Sequence, residues 1–477
     1  MSPELAGEAP VEPRDRTSRL NRWVTGAALG VLAGLAALVF WPAHGLDTLE
    51  RPEESLERVV TRDMDFRAAA RTAPRLERRL LALAFSSDGG ARADAIAWYE
   101  ELARVEASPL AELYRIILLA EDGQTEAAES VTTAWAPTDD AARRLAAWAR
   151  AAYEAEVPAP EELRAAIEAV SRELPPGWFA DRLVIRLASR LGDAALVAER
   201  ERAIQARGAP LLWRLRAILI AETLLVLVGL VALVAWLVGR GGRAARVAMA
   251  PIPPPWTALD GLGLFARGAV GLVGVAVVWP FLPDRAWSTL LVSVLQTIPL
   301  GGYLLWYCGG SWRTLADTFG LRVRRSAWPT LLRATLGLVG VSTLADVLVD
   351  LAGARLGVET HWTDGFQERL VWGTPAEVVT DAIDSCAFAP ILEEPLFRGV
   401  LYATLRLRLG PAPATLVSAA LFALAHGYGV VGFVSVFVSG VLWALAYERT
   451  RSLLPGMLAH AVSNIQATTI VLATLRF

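Results

Sequence analysis

Two adjacent glutamates and an arginine interrupt an apolar stretch near the end of the chain. Glu393, Glu394 and Arg398 lie within the run ILEEPLFRGVLY. An ionisable side chain at the centre of a membrane-spanning helix costs at least about 2.5–3.5 kcal/mol, so such a group of charges needs partners. Four-residue spacing places Glu394 and Arg398 on one helix face, where they can pair. Glu393 points about 100° away from Glu394, so its partner must come from another element.

Two of the four histidines also lie in apolar runs, and each has a companion at helical spacing. His426 follows Phe422 by four residues, and Asn464 follows His460 by four residues, so each pair shares one face of a helix. If three helices pack together, Glu393 meets both histidines and the asparagine amide.

This set of side chains predicts one of two kinds of chemistry. A buried carboxylate beside a histidine can hold a water molecule for attack. A second histidine and an asparagine can donate hydrogen bonds to an oxyanion. Alternatively, Glu393, His426 and His460 can hold a divalent metal such as zinc with one open position. The chain has no HExxH helix to supply two histidines at metal-ligand spacing, which favours the metal-free scheme.

Each of these residues also has a purely structural interpretation. A histidine within a membrane often only packs or joins helices, and asparagine does so more often. By the same reasoning, Glu394 and Arg398 mainly brace the structure, and Phe422 packs. The groups nevertheless occur together within about the last 90 residues, in separate apolar runs. Their joint occurrence favours a site.

The three motifs together resemble those of the CPBP family of intramembrane proteases. That family includes the type II CAAX prenyl endopeptidases and bacterial bacteriocin-processing and immunity proteins, and its pattern is EExxxR, then FxxxH, then HxxxN. The chain matches this pattern in order with EEPLFRGVLY, FALAH and HAVSN. The resemblance covers roughly residues 260–477 and does not extend to residues 1–210.

The resemblance implies a role for each motif residue in an intramembrane endopeptidase. Glu393 would be the general base that activates water, and His426 would assist it or hold that water. His460 and Asn464 would polarise the scissile carbonyl and stabilise the oxyanion. Glu394 with Arg398 would brace the site. Both a metal-dependent and a metal-free mechanism have been described for the family.

The composition indicates an all-α membrane protein rather than a soluble one. The 477 residues are 54% hydrophobic, and the net charge of -3 gives no attraction to nucleic acid. Apolar runs long enough to cross the bilayer predict about nine transmembrane helices. The predicted spans are 23–41, 214–238, 261–283, 286–309, 329–352, 376–408, 412–430, 431–448 and 453–475.

Arginines in alternate loops predict the orientation of these spans. By the positive-inside rule, the N-terminal tail 1–22 and the proline-rich linker 239–260 lie in the cytoplasm, and residues 261–477 form the protease-like membrane domain. The alanine- and arginine-rich composition favours a bacterial plasma membrane. The basic loop residues are Arg240, Arg243, Arg246, Arg313, Arg322, Arg324, Arg325, Arg406, Arg408, Arg449 and Arg451.

Residues 47–209 predict an inserted helical domain on the opposite side of the membrane. Apolar residues recur at three- and four-residue spacing, and Pro, Gly and Asp separate successive amphipathic helices. The spacing fits either stacked tetratricopeptide-like hairpins or an irregular helical domain. We expect this domain to bind a protein partner or to pack against the membrane part.

Three functions remain open on the sequence alone. The first is an intramembrane endopeptidase that cleaves a membrane-associated peptide of the CAAX type or a related substrate. The second is a non-catalytic immunity or receptor protein that acts through the helical domain. The third is a transporter in which Glu393 and the histidines relay protons, and the lack of an inverted repeat makes it the weakest of the three.

Overall fold

A computed structural model describes residues 22–31, 45–84, 88–238, 246–252, 254, 256–278, 288–358 and 360–477. Throughout these residues the regular secondary structure is helical, as the sequence predicts. After the helical residues 22–31 and a short 3-10 helix at Gly45–Thr48, the chain forms α1 (Pro52–Ala70), α2 (Arg75–Ala84), α3 (Asp88–Glu106), α4 (Pro109–Glu121), α5 (Thr125–Ala134), α6 (Asp140–Tyr153), α7 (Pro160–Glu173), α8 (Trp178–Leu191) and α9 (Ala194–Val238). They are followed by α10 (Ala258–Val278), α11 (Ser288–Tyr307), α12 (Trp312–Thr318), α13 (Trp328–Leu356), α14 (Glu368–Trp372), α15 (375–405), α16 (Pro411–Leu424), α17 (Val430–Thr450) and α18 (Leu454–Val471).

The chain divides into two compact units. The helical unit contains residues 43–222, 347–372 and 469–477. The membrane unit contains residues 1–42, 223–346 and 373–468. All the predicted site residues belong to the membrane unit.

Local sequence signals set the helix ends in the helical unit. Ser108 caps α4 by accepting a hydrogen bond from the backbone N–H of Ala111, and Asp139 caps α6 in the same way through Ala142. These side chains satisfy N–H groups that the first turn leaves without a partner. Gly192 ends α8 in the left-handed conformation, at φ 78°.

Aromatic side chains fill the core of the helical unit. The rings of Tyr114 and Phe179 are stacked with their centroids 4.0 Å apart, and Tyr99 meets both edge-on. All three are fully buried or nearly so. Consecutive short helices around this core agree with the predicted amphipathic series, and the tetratricopeptide-like arrangement stays a prediction.

The helical unit extends beyond the predicted range 47–209. The Glu368 carboxylate accepts hydrogen bonds of 2.8 Å from the backbone N–H groups of Glu50 and Arg51, next to the start of α1. His361 Nε2 lies 3.0 Å from Glu101 Oε2. Contacts of this kind join segments that are more than 250 residues apart, so periodicity within 47–209 does not reveal them.

Helix α9 crosses the position where the sequence predicts a break between the helical domain and the span 214–238. It continues through Gly208 and Pro210 for 45 residues. A Cβ atom on Gly208 would lie 1.9 Å from the Asp65 carbonyl oxygen, so this glycine serves close packing on α1 rather than a turn. Pro210 is exposed, which leaves the carbonyl that lost its hydrogen bond open to water.

Six helices of the described residues are long and apolar enough to cross a membrane. They are Ala194–Val238, Ala258–Val275, Ser288–Tyr307, Arg325–Leu356, Val430–Thr450 and Leu454–Arg476. These helices support a polytopic membrane protein, while the count of nine stays a prediction. Of the predicted first span, residues 22–31 are helical, and the part from 32 to 41 lies outside the described residues.

Two predicted spans differ from regular helices. The span 376–408 is the composite helix α15, in which π-helical turns at Asp384–Phe388 and Pro395–Tyr402 flank the α-helical segment Ala389–Glu394. The span 412–430 is the shorter helix α16, which ends at Leu424 before a turn in which Gly427 has φ 67°. That left-handed glycine ends the helix six residues earlier than hydropathy predicts.

Small residues allow two helices of the membrane unit to approach closely. A Cβ atom on Gly229 of α9 would lie 2.5 Å from the Cα of Gly340 in α13. Only glycine permits this backbone contact, which is the usual way in which membrane helices gain packing without a hydrophobic driving force.

We expect Glu57→Gln to stabilise the protein at alkaline pH. Burial raises the pKa of Glu57 from its ordinary 4.5 to about 7, and the nearby Glu53 carboxylate adds to the shift. The folded state therefore binds a proton at Glu57 more tightly than the unfolded state does. The stabilisation that this proton gives is complete below the ordinary pKa and is lost as the pH rises through about 7. The variant should unfold at a higher temperature than the parent at pH 8, with a much smaller difference at pH 5.

Thermal unfolding of the detergent-purified chain, followed by circular dichroism, measures this effect. Glu54→Gln is the matched control, because it makes the same charge change at an exposed position of the same helix. An equal gain for Glu57→Gln at both pH values would contradict the prediction.

Candidate active site

A buried ion pair lies at the centre of the membrane unit. Arg398 Nη1 donates a hydrogen bond of 2.8 Å to Glu394 Oε1, and both side chains are 1% exposed. The four-residue spacing thus produces the predicted pair on α15. A charge pair this deep loses its hydration, so it requires good geometry and further partners.

Aromatic rings complete the surroundings of the arginine. Its guanidinium lies 4.0 Å from the ring centroid of Phe422 and 5.1 Å from that of Trp443. Among the described residues, Arg398 Nε and Nη2 have no hydrogen-bond partner, so the ring faces supply the remaining attraction. A Cβ atom on Gly440 would lie 3.1 Å from Nη2, and this glycine therefore leaves room for the cation.

His460 of α18 lies between the two glutamates. Its Nδ1 is 3.2 Å from Glu394 Oε1, and its Nε2 is 3.8 Å from Glu393 Oε2. Because Glu394 is paired with Arg398, its carboxylate acts as an acceptor, and the His460 Nδ1–H donates to it. The imidazole is 3% exposed and stacks on Trp443 with the ring centroids 4.5 Å apart. The ring is therefore held both by charge and by packing.

Glu393 is the more accessible of the two glutamates. Its side chain is 30% exposed, whereas that of Glu394 is 1% exposed. Glu393 Oε2 is a buried atom without a hydrogen-bond partner among the described residues. The 3.8 Å separation from His460 is longer than a hydrogen bond, so this oxygen can accept a proton from a bound molecule.

Asn464 is positioned by a carbonyl that the helix itself leaves free. In the first π turn of α15, the backbone N–H of Ala389 bonds to the Asp384 carbonyl. The next bond of this pattern would join Pro390 to Ser385, but proline has no N–H. The Ser385 carbonyl instead accepts a hydrogen bond of 2.7 Å from Asn464 Nδ2.

Two aspartates attach the start of α15 to α11. Asp384 accepts a hydrogen bond from the Ser293 hydroxyl, and Asp381 accepts one of 3.2 Å from the Thr289 hydroxyl. Neither aspartate was predicted from the sequence as a site residue. Two acidic residues one turn apart at the start of an apolar run are the signal that could have identified them.

His426 lies just after the end of α16, and its orientation is defined. Its Nδ1 is 2.8 Å from the Phe422 carbonyl oxygen, which can only accept, so Nδ1 carries the proton. In the neutral ring, Nε2 is then free to accept a hydrogen bond. The ring meets Phe422 edge-on at 4.7 Å between centroids, and His460 meets the same ring at 5.9 Å.

The structure brings the candidate residues together unequally. Glu393, Glu394 and His460 form one contacting group, and Asn464 joins the same helix through Ser385. His426 and His460 both contact the ring of Phe422. Among the contacts of the described residues, none joins His426 to either glutamate. Glu393 and Glu394 approach different ring nitrogens of the same histidine.

The proposed metal ligands do not form a metal centre in the described part of the chain. No group of three or more His, Cys, Asp or Glu side chains is arranged there to hold a metal ion. Of the expected ligands Glu393, His426 and His460, only the first and the last approach each other. The residues present therefore do not fit the metal, and no step of the reaction below uses one.

The region that contains the candidate site matches a known protein family. Residues 375–466 match the family described as type II CAAX prenyl endopeptidase Rce1-like. The matched segment contains all six predicted site residues and confirms the resemblance that the three motifs carry. This segment is thus similar to type II CAAX prenyl endopeptidases, and the apolar helices of the described residues support an integral membrane protein. No curated protein and no solved structure matches the chain significantly.

We expect Arg398→Met to destabilise the protein strongly. The substitution keeps an apolar chain of similar length but leaves the Glu394 carboxylate buried without its cation, which costs about 3–5 kcal/mol in comparable cases. The double variant Glu394→Gln/Arg398→Met removes both charges and should recover most of that loss. Unfolding in detergent, followed by circular dichroism, measures both variants. A double variant less stable than Arg398→Met would show that the pair itself does not matter.

Proposed function

We propose that the protein is an intramembrane endopeptidase that cleaves a membrane-associated peptide with water activated by Glu393, in line with the similarity of residues 375–466 to type II CAAX prenyl endopeptidases. The single observation that carries this proposal is the position of His460 between the two glutamates. One glutamate is buried and paired with arginine, whereas the other is partly exposed and has one oxygen without a hydrogen-bond partner among the described residues. The same residue type thus has two different environments, which suits two different roles.

In the proposed reaction Glu393 is the general base. Its carboxylate removes a proton from water, and the oxygen of that water attacks the scissile carbonyl carbon. The same carboxyl group then gives the proton to the leaving amine as the carbon–nitrogen bond breaks. Water is thereby divided between the two products, with the hydroxyl on the new acid and the proton on the new amine.

His460 and Asn464 stabilise the oxyanion in this proposal. His460 donates one N–H to Glu394, which orients its Nε2 toward the reacting groups. When that nitrogen is protonated, it can donate to the developing negative charge. Asn464 uses one of its two amide hydrogens on Ser385 and can offer the other. Donors that are already oriented cost no reorganisation during the reaction.

His426 orients the attacking water in this proposal. Its Nδ1–H is committed to the Phe422 carbonyl, so its Nε2 can accept from a water molecule. Its position at the end of α16, half-buried and beside a glycine turn, gives such a molecule access from the surface of the unit.

Glu393→Gln tests the proposed base. The amide keeps the shape but cannot accept a proton, so kcat/KM should fall by about 10²–10⁴-fold, the usual contribution of general acid–base catalysis. The assay is cleavage of a library of membrane-anchored peptides by the purified chain, with products identified by mass spectrometry. His426→Ala should also slow cleavage.

Asp346→Asn is the matched control for this test. It also removes a carboxylate from a membrane helix, and Asp346, which accepts a hydrogen bond from Ser435, is not one of the residues proposed for cleavage. Cleavage by Glu393→Gln at the rate of the parent would refute the proposal and would favour a non-catalytic receptor or immunity protein that acts through the helical domain.

We expect cleavage to survive removal of metal ions. The described donors do not form a three-ligand centre, and the proposed chemistry needs only the side chains named above. Dialysis against a strong chelator, with the metal content measured before and after, should leave the rate unchanged. A loss of activity that zinc alone restores would show that a metal ion takes part.

A further inference from the structure

A second candidate site lies in the membrane unit. It is a cavity of about 690 Å³ formed by residues 246–249 and residues 317–330. This volume falls within the range of small-molecule sites, which is about 300–1,000 Å³. None of the residues proposed for peptide cleavage lines it.

The cavity carries an excess of positive charge. Arg246, Arg322 and Arg324 line it, and Asp317 is the only acidic residue in its lining. Asp317 pairs with Arg322 through contacts of 3.1 and 3.3 Å. Across the described residues, Arg246 and Arg324 have no ion-pair partner. Two guanidinium groups that share a cavity without counter-charges attract an anion.

Apolar side chains and the start of a membrane helix define the type of ligand. Val247, Met249 and Val323 also line the cavity. Residues 326, 327 and 330 of its wall belong to the first turns of the candidate span Arg325–Leu356. The tryptophan at the beginning of α13 is 59% exposed, as is usual for an anchor at the membrane surface. The cavity thus combines basic and apolar walls at the end of a membrane span.

Hydrogen bonds within the unit hold the walls of this cavity in place. Val247 N–H bonds to the Thr450 carbonyl at 2.8 Å, and the Ser452 hydroxyl bonds to the Gly320 carbonyl at 2.7 Å. A Cβ atom on Gly320 would lie 2.1 Å from the Arg451 carbonyl oxygen, and Gly320 has φ 65°. The two lining segments are therefore fixed to the 450–453 turn, so the cavity has a defined shape.

We propose that this cavity binds a phosphate ester anion, supplied either by a phospholipid headgroup at the membrane surface or by a soluble phosphate compound. The planar guanidinium groups of Arg246 and Arg324 match the oxygens of a phosphate group. The apolar wall accommodates the glycerol or acyl part of a lipid. The negative charge of the ligand supplies the counter-charge that Arg246 and Arg324 lack among the described residues.

Native mass spectrometry of the full-length chain tests the proposal. The protein is purified in neutral detergent and incubated with phosphatidylglycerol or with phosphatidylcholine. We expect the parent to retain phosphatidylglycerol more tightly. The double variant Arg246→Gln/Arg324→Gln should bind it about thirtyfold more weakly, since each basic residue near a headgroup contributes about 1 kcal/mol.

The double variant Arg313→Gln/Arg325→Gln is the matched control. It makes the same charge change nearby, at residues that do not line the cavity, and should retain the parent affinity. Arg324→Lys, which keeps the charge without the planar group, should show an intermediate affinity. These two variants separate the loss of a binding site from a general loss of charge or of folding.

A second measurement distinguishes the two sources of phosphate. Thermal unfolding is followed with inorganic phosphate and with glycerol phosphate, again for the parent and both double variants. Stabilisation by these soluble anions, without preferential retention of phosphatidylglycerol, would assign the cavity to a soluble phosphate. If the cavity variant matched the control variant in both experiments, the proposal would be wrong.

Discussion

The Glu394 carboxylate is the group on which the candidate site depends, because it accepts hydrogen bonds from both Arg398 and His460. These three groups lie among apolar helices, where each charge has lost its hydration. Their mutual attraction offsets that loss only while all three stay in place. The position of the imidazole is thus determined by electrostatics as well as by its stacking on Trp443.

This arrangement separates the roles of two neighbouring glutamates. The buried one is occupied by a permanent cation and a histidine, so it holds structure together. The other has a partly exposed side chain and keeps one oxygen without a partner in the described part of the chain. Adjacent residues on one helix thus differ because only one of them faces the arginine. The family match over residues 375–466 agrees with a protease domain built around this pair.

Much of the candidate site could be predicted from residue spacing alone. The Glu394–Arg398 pair follows from a separation of four residues, and the same spacing identified the His460–Asn464 face. The contact of Glu394 with His460 was not predicted, because it depends on how α18 approaches α15. The Ser385 carbonyl was also missed, although Pro390 five residues later was a usable signal for it.

In the fold, too, features set by neighbouring residues could be predicted, whereas features that depend on residues far apart in the chain could not. Hydropathy located the long membrane helices, and amphipathic periodicity located the short helices of the helical unit. The predicted boundary between the helical domain and the span 214–238 falls inside one continuous helix, in which Gly208 serves packing and Pro210 faces outward. The capping of α1 by Glu368 joins residues far apart in the chain, which no local pattern reveals.

The π-helical turns of α15 limit which sequence changes this region can accept during evolution. A π turn contains one more residue than an α turn, so it behaves as an insertion that the helix has absorbed. Deleting one residue from Asp384–Phe388 would restore ordinary helical register and rotate Glu393 by about 100° relative to the aspartates that fix α15 to α11. Conservative substitutions should therefore be tolerated in this turn more readily than any change in its length.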